Sequence, residues 1–532
     1  MNVPLHPQDD AEPMALIASL RQQLAARDQQ LEKRDQELAR AELKIRALEE
    51  RLRLERIARY GKRSEKLSDL QLELLDREPG VSSEEVEAES EREPIAGPAA
   101  EAGEQAPGSK PRRKHPGRQT LPAKLERVVQ IVSCTAEECR CGRCGQENSV
   151  IGYEETEVLD VRPAEYFVRV IRREKRACKG CEEQGVRTAA APERIAPKSL
   201  LSDNVIIDLI VNKYCESTPL YRQQRVLRRD AGVEVAISTL DDAVMRVGEL
   251  LIPIAGAMKR ELIRSHYLQA DETPVGVQTH DKRGRNHRAY LWQYGSPGKG
   301  CVFDFRMGRD GEGPGLFLGD FEGILQTDGY QAYNRLGGAK IIHAGCLAHA
   351  RRKSVDAVKV NEKDVASADI VSLLDQLFAI DREARENNLS HTERDQLRQQ
   401  RAPQLLDRIH AGILAIKKAA LPKSLAGQAA SYTLTLWPKL TVFLEHPEIE
   451  LSTNLAENSM RPVALGRKNW LHLGSREAGP KIAAIFSVVE SCRRLEVPIR
   501  RYLADVLPGL GNRSIQTMAQ LTPMAYAAAR AK

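Results

Sequence analysis

Two stretches of the chain end a run of β-prone residues on an acid. SHYLQADETPVGV (265–277) delivers Asp271 and Glu272 and is expected to stop at Thr273-Pro274, and GILQTDGYQAY (323–333) delivers Asp328 just before Gly329. A strand holds a side chain rigidly and the turn after it opens that side chain to solvent, so the device suits a metal ligand at a sheet edge. An Asp before a turn is also an ordinary turn former, and one occurrence does not decide between the two. Repetition strengthens the ligand reading: the acids end the first and fourth strand-like runs of this region, and the rest of the chain must supply the case.

Three further runs do so: AYLWQYG from Ala289, GCVFDFRMG from Gly300 and AKIIHAG from Ala339. The last turns into a helix, CLAHARRK, that carries His349, Arg351 and Arg352. From 357 to 450 the sequence is helical and charged with no strand-like run, which marks an insertion. Beyond it, STNLAENSMRP (452–462) reads as a capped helix bearing Glu457, RKNWLHLGS (467–475) supplies Arg467, Lys468 and Trp470, and 478–494 forms a further amphipathic helix. Glu272, one position after Asp271, points to the opposite face of a strand and is the weaker ligand. Arg351, Arg352, Arg467 and Lys468 are candidate phosphate contacts, and Trp470 either stacks on an unpaired base or packs in the core. Cys346-x-x-His349 has a metal-like spacing, but a lone pair of this kind fits packing plus a histidine that orients a neighbouring ligand.

At 532 residues, the chain is expected to divide into several domains. From Met14 to Tyr60 it lacks Gly and Pro, and Ile17, Leu24, Leu31, Leu38, Ile45 and Leu52 recur every seven residues. That seam predicts a coiled coil and a homo-oligomer, or else a helix packed on its own protein; with the basic turn that follows it spans 14–76. Residues 77–118 change to an acidic Glu, Pro, Ala, Gly and Ser composition and then to a basic tract, and are expected to be a disordered linker. The net charge of +6 therefore understates how basic the rest is, which suits a polyanionic partner. In 119–195, Cys141/Cys144 and Cys178/Cys181 flank a strand-like stretch (157–173) and match a structural four-cysteine Zn²⁺ ribbon, with Cys134 and Cys139 as possible substitutes.

Residues 198–262 read as three helices with signals at Ser202, Pro219, Gly232 and Ser238-Thr239-Leu240, the pattern of a helix-turn-helix. Arg222 and Arg225, with Arg228 and Arg229, direct that region to double-stranded DNA. Residues 497–532 form a helical tail. No apolar run has membrane length and the N-terminus lacks a signal-peptide pattern, so the expected location is the cytoplasm.

GKRSEKL after a leucine-zipper helix, paired Cys knuckles, PLYRQQ, ADETP, QTDGYQAY, GCLAHARRK, NLAENSMRPVALGRKNW and LGS occur in an order that resembles transposases of the IS66 insertion-sequence family. The resemblance covers nearly the whole chain. It implies a multidomain α+β protein whose RNase H-like α/β catalytic core (265–356 and 451–496) is interrupted before its Glu by the helical insertion. It carries the family's DDE residues onto Asp271, Asp328 and Glu457, as ligands of two Mg²⁺ or Mn²⁺ ions; spacing alone does not single these out from the 74 acidic residues. This chain has Asn458 where many members carry Arg. The implied reaction is phosphodiester hydrolysis at the ends of the element, followed by attack of the freed 3′-hydroxyl on target DNA. Small companion proteins and a nucleoid-associated location are implied too. The competing reading is a transposase-derived regulator that binds DNA without chemistry, and the three carboxylates separate the two.

Overall fold

The computed structural model describes residues 186–279, 286–334, 336, 338–361, 364–470 and 472–531, with shorter pieces at 24, 27–34, 45, 127–131, 143, 146–147, 153 and 165–177. It divides into two units, residues 1–98 with 172–532, and residues 99–171. Leu24, Leu31 and Ile45, three of the seven-spaced residues, are helical and exposed. The rest of the seam, the linker and all six cysteines from Cys134 to Cys181 lie outside the described residues. Of the stretch 157–173 expected to be strand-like, residues 165–173 carry no ladder among the described residues, and Val168 and Val170 are exposed. A short antiparallel pair follows instead, β1 (Lys175–Ala177) and β2 (Val186–Thr188), and the segment between them carries Cys178 and Cys181.

Helix α1 (Asp203–Tyr214) starts where Ser202 accepts a hydrogen bond from Val205 N, as its position before an apolar run predicts. Helix α2 (Leu220–Ala231) follows Pro219 and ends on Gly232 at φ +68°, a left-handed stop that a Cβ would disfavour. Helix α3 (Ile237–Ile263) departs from expectation. It starts after Ala236 with no side-chain cap, so Ser238 lies inside the helix, and it continues for 27 residues through Pro253. The Val235 carbonyl, held by Gln224 Nε2 at 2.7 Å, sets the entry of the chain and leaves Ser238 no capping role. Its buried residues Leu240, Val244, Val247, Leu251, Ile254, Met258 and Leu262 recur at helical spacing along its whole length.

The sheet contains β3 (Tyr267–Val277), β4 (His287–Gly295), β5 (Cys301–Arg306), β6 (Gly323–Thr327) and β7 (Ile341–Gly345), in spatial order β5-β4-β3-β6-β7. β3, β4 and β5 form an antiparallel meander; β6 and β7 run parallel to β3, with α4 (Glu312–Leu318) in the connection from β5 to β6. β3 does not stop at Thr273-Pro274 but pairs with β4 through Val277. The parallel ladder with β6 covers only Tyr267 to Gln269, so from there one edge of β3 has no strand beside it until Leu473 bridges Val277. Pro274 sits on that edge: its carbonyl points away from β4 and accepts from Arg467, and a missing N–H there breaks no ladder bond.

Helix α5 (Leu347–Val360) leads from β7 into three helices without a strand among the described residues, α6 (Val365–Glu386), α7 (His391–Ala419) and α8 (Leu425–Leu440). They share one apolar core with the β6–β7 side of the sheet. Buried inside it, Arg398 places Nε and Nη2 on the two oxygens of Asp381 at 2.8 and 2.7 Å, and Arg394 reaches the same carboxylate at 2.7 Å. Helix α9 (Asn454–Trp470) then returns to β3, and α10 (Ala478–Arg494) covers edge strand β5, where Ser487 and Ser491 accept from the N–H groups of Phe303 and Cys301. α3 crosses α10 at Gly248, where a Cβ would stand 2.7 Å from Lys481 Cβ. Helices α11 (Ile499–Val506) and α12 (Pro523–Ala531) close the chain. No described helix is long and apolar enough to cross a membrane.

Candidate metal centre

Asp271 lies in the middle of β3, opposite Gln293 of β4, rather than at a strand end. It is buried, and its Oδ2 has no hydrogen-bond partner. Burial, reinforced by the nearby carboxylates of Glu272, Glu457 and Asp328, pushes its carboxyl well above the usual range; His349 pulls the other way. Asp271 is therefore the point where the acids from β3, the end of β6 and α9 meet electrostatically.

Asp328 is the first residue after β6. Its Oδ1 accepts from Tyr330 N at 2.8 Å, the local turn that Asp favours, and Gly329 takes φ +92° where a Cβ would run into Leu436 of α8. The Asp328 carbonyl accepts from Tyr432 of α8 at 2.5 Å, which ties the helical insertion to the turn. Glu457, in the first turn of α9, is fully buried. Its Oε2 accepts from Arg352 at 3.4 Å, while its Oε1 stands 3.3 Å from His349 Nδ1, and neither of those two atoms makes a hydrogen bond. Burial opposes a charge on His349, but Glu457 and the Cys346 thiol outweigh it and push the imidazole up to about 10.

Glu272 belongs to a different arrangement. Arg309 donates to its Oε1 at 2.7 and 3.1 Å and Tyr333 donates to its Oε2 at 3.1 Å, so both oxygens are engaged. Burial, with Asp328 adding to it, lifts this carboxyl to about 7 against the pull of Arg309. Arg309 in turn lies 4.0 Å from the Tyr330 ring centroid.

The remaining candidates are dispersed. Arg351 is buried and pairs with Asp375 of α6 at 2.5 Å, fastening the insertion, which is no place for a phosphate contact. Arg352 sits beside Glu457, Arg467 reaches the backbone of β3, and Lys468 is exposed. Trp470 packs against Phe486 at an interplanar angle of 14° and edge-on against Tyr214, with the Lys213 ammonium 4.3 Å from its centroid. With those neighbours on it, the ring is a core element and the base-stacking expectation has no free face. Arg222 and Arg225 are exposed on α2, each 5.7 Å from the Tyr221 ring. Sequence reasoning missed Arg309, Tyr333 and Tyr432: Arg309 and Tyr333 lie 37 and 61 residues from Glu272, and Tyr432 lies 104 residues from its partner.

The residues fit a divalent cation in chemistry: acceptor-only carboxylates, two orphaned buried oxygens on Asp271 and Glu457, and mutual repulsion that a cation relieves. Among the described residues, however, the side chains whose ligand atoms all lie within 4.8 Å of one another are Cys346, His349 and Glu457.

A family model described as Transposase IS66 family matches residues 198–481. Two others match upstream: Transposase C of IS166 homeodomain at 47–129, and zinc-finger binding domain of transposase IS66 at 138–182. Among curated proteins, the chain is 28% identical over 510 residues to the uncharacterized protein y4hP of Sinorhizobium fredii, covering 90% of this chain and 89% of that one. It is 31% identical over 423 residues to the uncharacterized protein y4jD of the same organism, covering 76% and 81%.

Proposed function

The chain belongs to the IS66 transposase family, and from that premise we propose that it is a DDE transposase, which hydrolyses phosphodiesters at the ends of an insertion sequence and joins the freed 3′ ends to target DNA. The observation that carries the reading is the pair of buried carboxylates with an unpartnered oxygen each, Asp271 on the central strand and Glu457 on α9, with Asp328 at the end of the strand parallel to β3. The topology supports it: a three-stranded meander continued by two parallel strands, with Asp271 on the central strand and Asp328 after its parallel neighbour, is the layout of an RNase H-like core. The three carboxylates would hold two Mg²⁺ or Mn²⁺ ions, which neutralise charge on the phosphate and supply Lewis acidity.

The protein's own groups do the positioning. Tyr432 and Gly329 fix the Asp328 turn, and the Arg309 clamp on Glu272 keeps that acid out of the ligand set while bracing β3 beside Asp271. Arg352, next to Glu457, would meet a phosphodiester oxygen, and Lys468, exposed on α9, would offer a second cation. Arg222 and Arg225 on α2 provide the basic face of a helix-turn-helix that tracks DNA phosphates. Cys141, Cys144, Cys178 and Cys181 hold a structural Zn²⁺ in the end-recognition region, and the seven-residue seam assembles copies of the chain. Cleavage and joining assays on element-end DNA with Mg²⁺ test the reading. Asp271→Asn should abolish both activities and leave end binding nearly unchanged; equal joining by that variant refutes it.

A further inference from the structure

Cys346, at the N-terminal cap of α5, His349 one turn later and Glu457 in the first turn of α9 bring a thiol, an imidazole and a carboxylate together within 4.8 Å. The Cys346 sulfur is buried, receives Thr453 N at 3.3 Å and is hydrogen-bonded with the His349 side chain, contacts that leave the facing Glu457 oxygen unsatisfied. His349 Nδ1 and Glu457 Oε1 face each other at 3.3 Å with no hydrogen bond between them. The Glu457 side chain is 1% exposed, so water does not rescue its free oxygen. In a tetrahedral zinc site with bonds of about 2.0–2.1 Å, adjacent nitrogen and oxygen ligands stand about 3.3 Å apart. The spacing that is poor for a hydrogen bond is thus the one a shared metal imposes.

We propose that Cys346, His349 and Glu457 form a Zn²⁺ site with an open fourth position, separate from the cysteine knuckles and overlapping the carboxylate set only at Glu457. A thiolate and an imidazole select zinc over Mg²⁺, whose preference is for oxygen alone. Binding releases two protons to solvent, one from the Cys346 thiol and one of the two ring N–H protons of the charged His349 imidazole, and the sulfur–zinc and nitrogen–zinc bonds form in their place. Because Glu457 belongs to both sets, zinc at this site withdraws it from Asp271 and Asp328. Zn²⁺ therefore acts as an inhibitor that competes with productive Mg²⁺ loading. That consequence rests on the transposase reading; the zinc site itself does not.

The test counts zinc. Full-length wild type, Cys346→Ser, His349→Gln and Cys178→Ser are dialysed to equilibrium against micromolar free Zn²⁺, and bound metal per chain is measured by mass spectrometry, with thermal melts to verify folding. Cys346→Ser and His349→Gln should each bind one zinc fewer than wild type. Cys178→Ser should leave that ion in place, seen as a cobalt–thiolate absorption band after Co²⁺ substitution that disappears when Cys346→Ser is added. Equal zinc content in wild type, Cys346→Ser and His349→Gln overturns the site. If Cys346→Ser does not fold, His349→Gln, whose side chain lies at the surface edge of the cluster, decides alone. If zinc counts fall as expected but Mg²⁺ supports no DNA cleavage, the site stands and the strand-transfer reading fails. Full cleavage with the site zinc-loaded overturns the competition through Glu457.

Discussion

Tyr432→Phe removes one hydroxyl from the contact between the helical insertion and the Asp328 turn and leaves the ring in place. The hydroxyl donates to the Asp328 carbonyl at 2.5 Å, at the short end for an O–H···O bond. Ring packing and the Lys353 ammonium, 4.7 Å from the ring centroid, survive in phenylalanine. Such a bond has a net value of ~0.5–1.5 kcal/mol. If it acts by holding Asp328 where a ligand is needed, the whole loss falls on the barrier, and cleavage slows roughly 2- to 10-fold. The assay is single-turnover cleavage of element-end DNA at saturating Mg²⁺. Thr435→Ala is the control, since Thr435 is exposed and its hydroxyl bonds only Ser431 O one turn back on the same helix. Wild-type cleavage by Tyr432→Phe, together with a loss of stability in denaturant, would refute the reasoning and reduce the contact to packing.

Two further perturbations test the frame around the centre. Asp381→Ala strands the buried guanidinium of Arg398 and should cost about 3–5 kcal/mol, read as faster hydrogen exchange along α6, α7 and α8. In the wild type, burial opposes the Asp381 charge but Arg398 and Arg394 hold its carboxyl below the usual range. The folded value thus lies under the unfolded one: the stabilisation is complete above about pH 4 and is lost as pH falls through the folded value, so acid should loosen these helices first. Gly248→Ala puts a Cβ 2.7 Å from Lys481 Cβ and 2.8 Å from its carbonyl oxygen, and should destabilise the α3–α10 crossing by about 1–3 kcal/mol, measured by denaturant unfolding.

The five strands of the sheet were legible because each is a short apolar or alternating run bounded by Gly or Pro, a signal that lives in neighbouring residues. The same locality explains the misreading of β3. Thr273-Pro274 has the composition of a stop, yet Pro274 occupies an edge whose ladder bond is absent because β6 pairs no further than Gln269, and that absence is a property of the assembled sheet. The length of α3 is likewise a product of packing: Pro253 lies inside the helix, and continuous burial along it outweighs the local cost. Local pattern also identified Cys346 and His349 as a pair without a third member, because Glu457 comes from beyond the insertion. Trp470 carried two roles until Tyr214 and Phe486, from two distant helices, closed around it. Arg309 and Tyr432 had no local signal at all: each acts on a partner that only the folded chain brings near.

The claim that Asp271 belongs to a divalent-cation site while its neighbour Glu272 does not is tested most directly by Mn²⁺ binding, followed through the electron paramagnetic resonance signal of the free ion. Wild type and Glu272→Gln should bind Mn²⁺ alike, because both Glu272 oxygens are held by Arg309 and Tyr333, and Asp271→Asn should lose that binding. Undiminished Mn²⁺ binding by Asp271→Asn, or an equal loss in Glu272→Gln, would contradict the account.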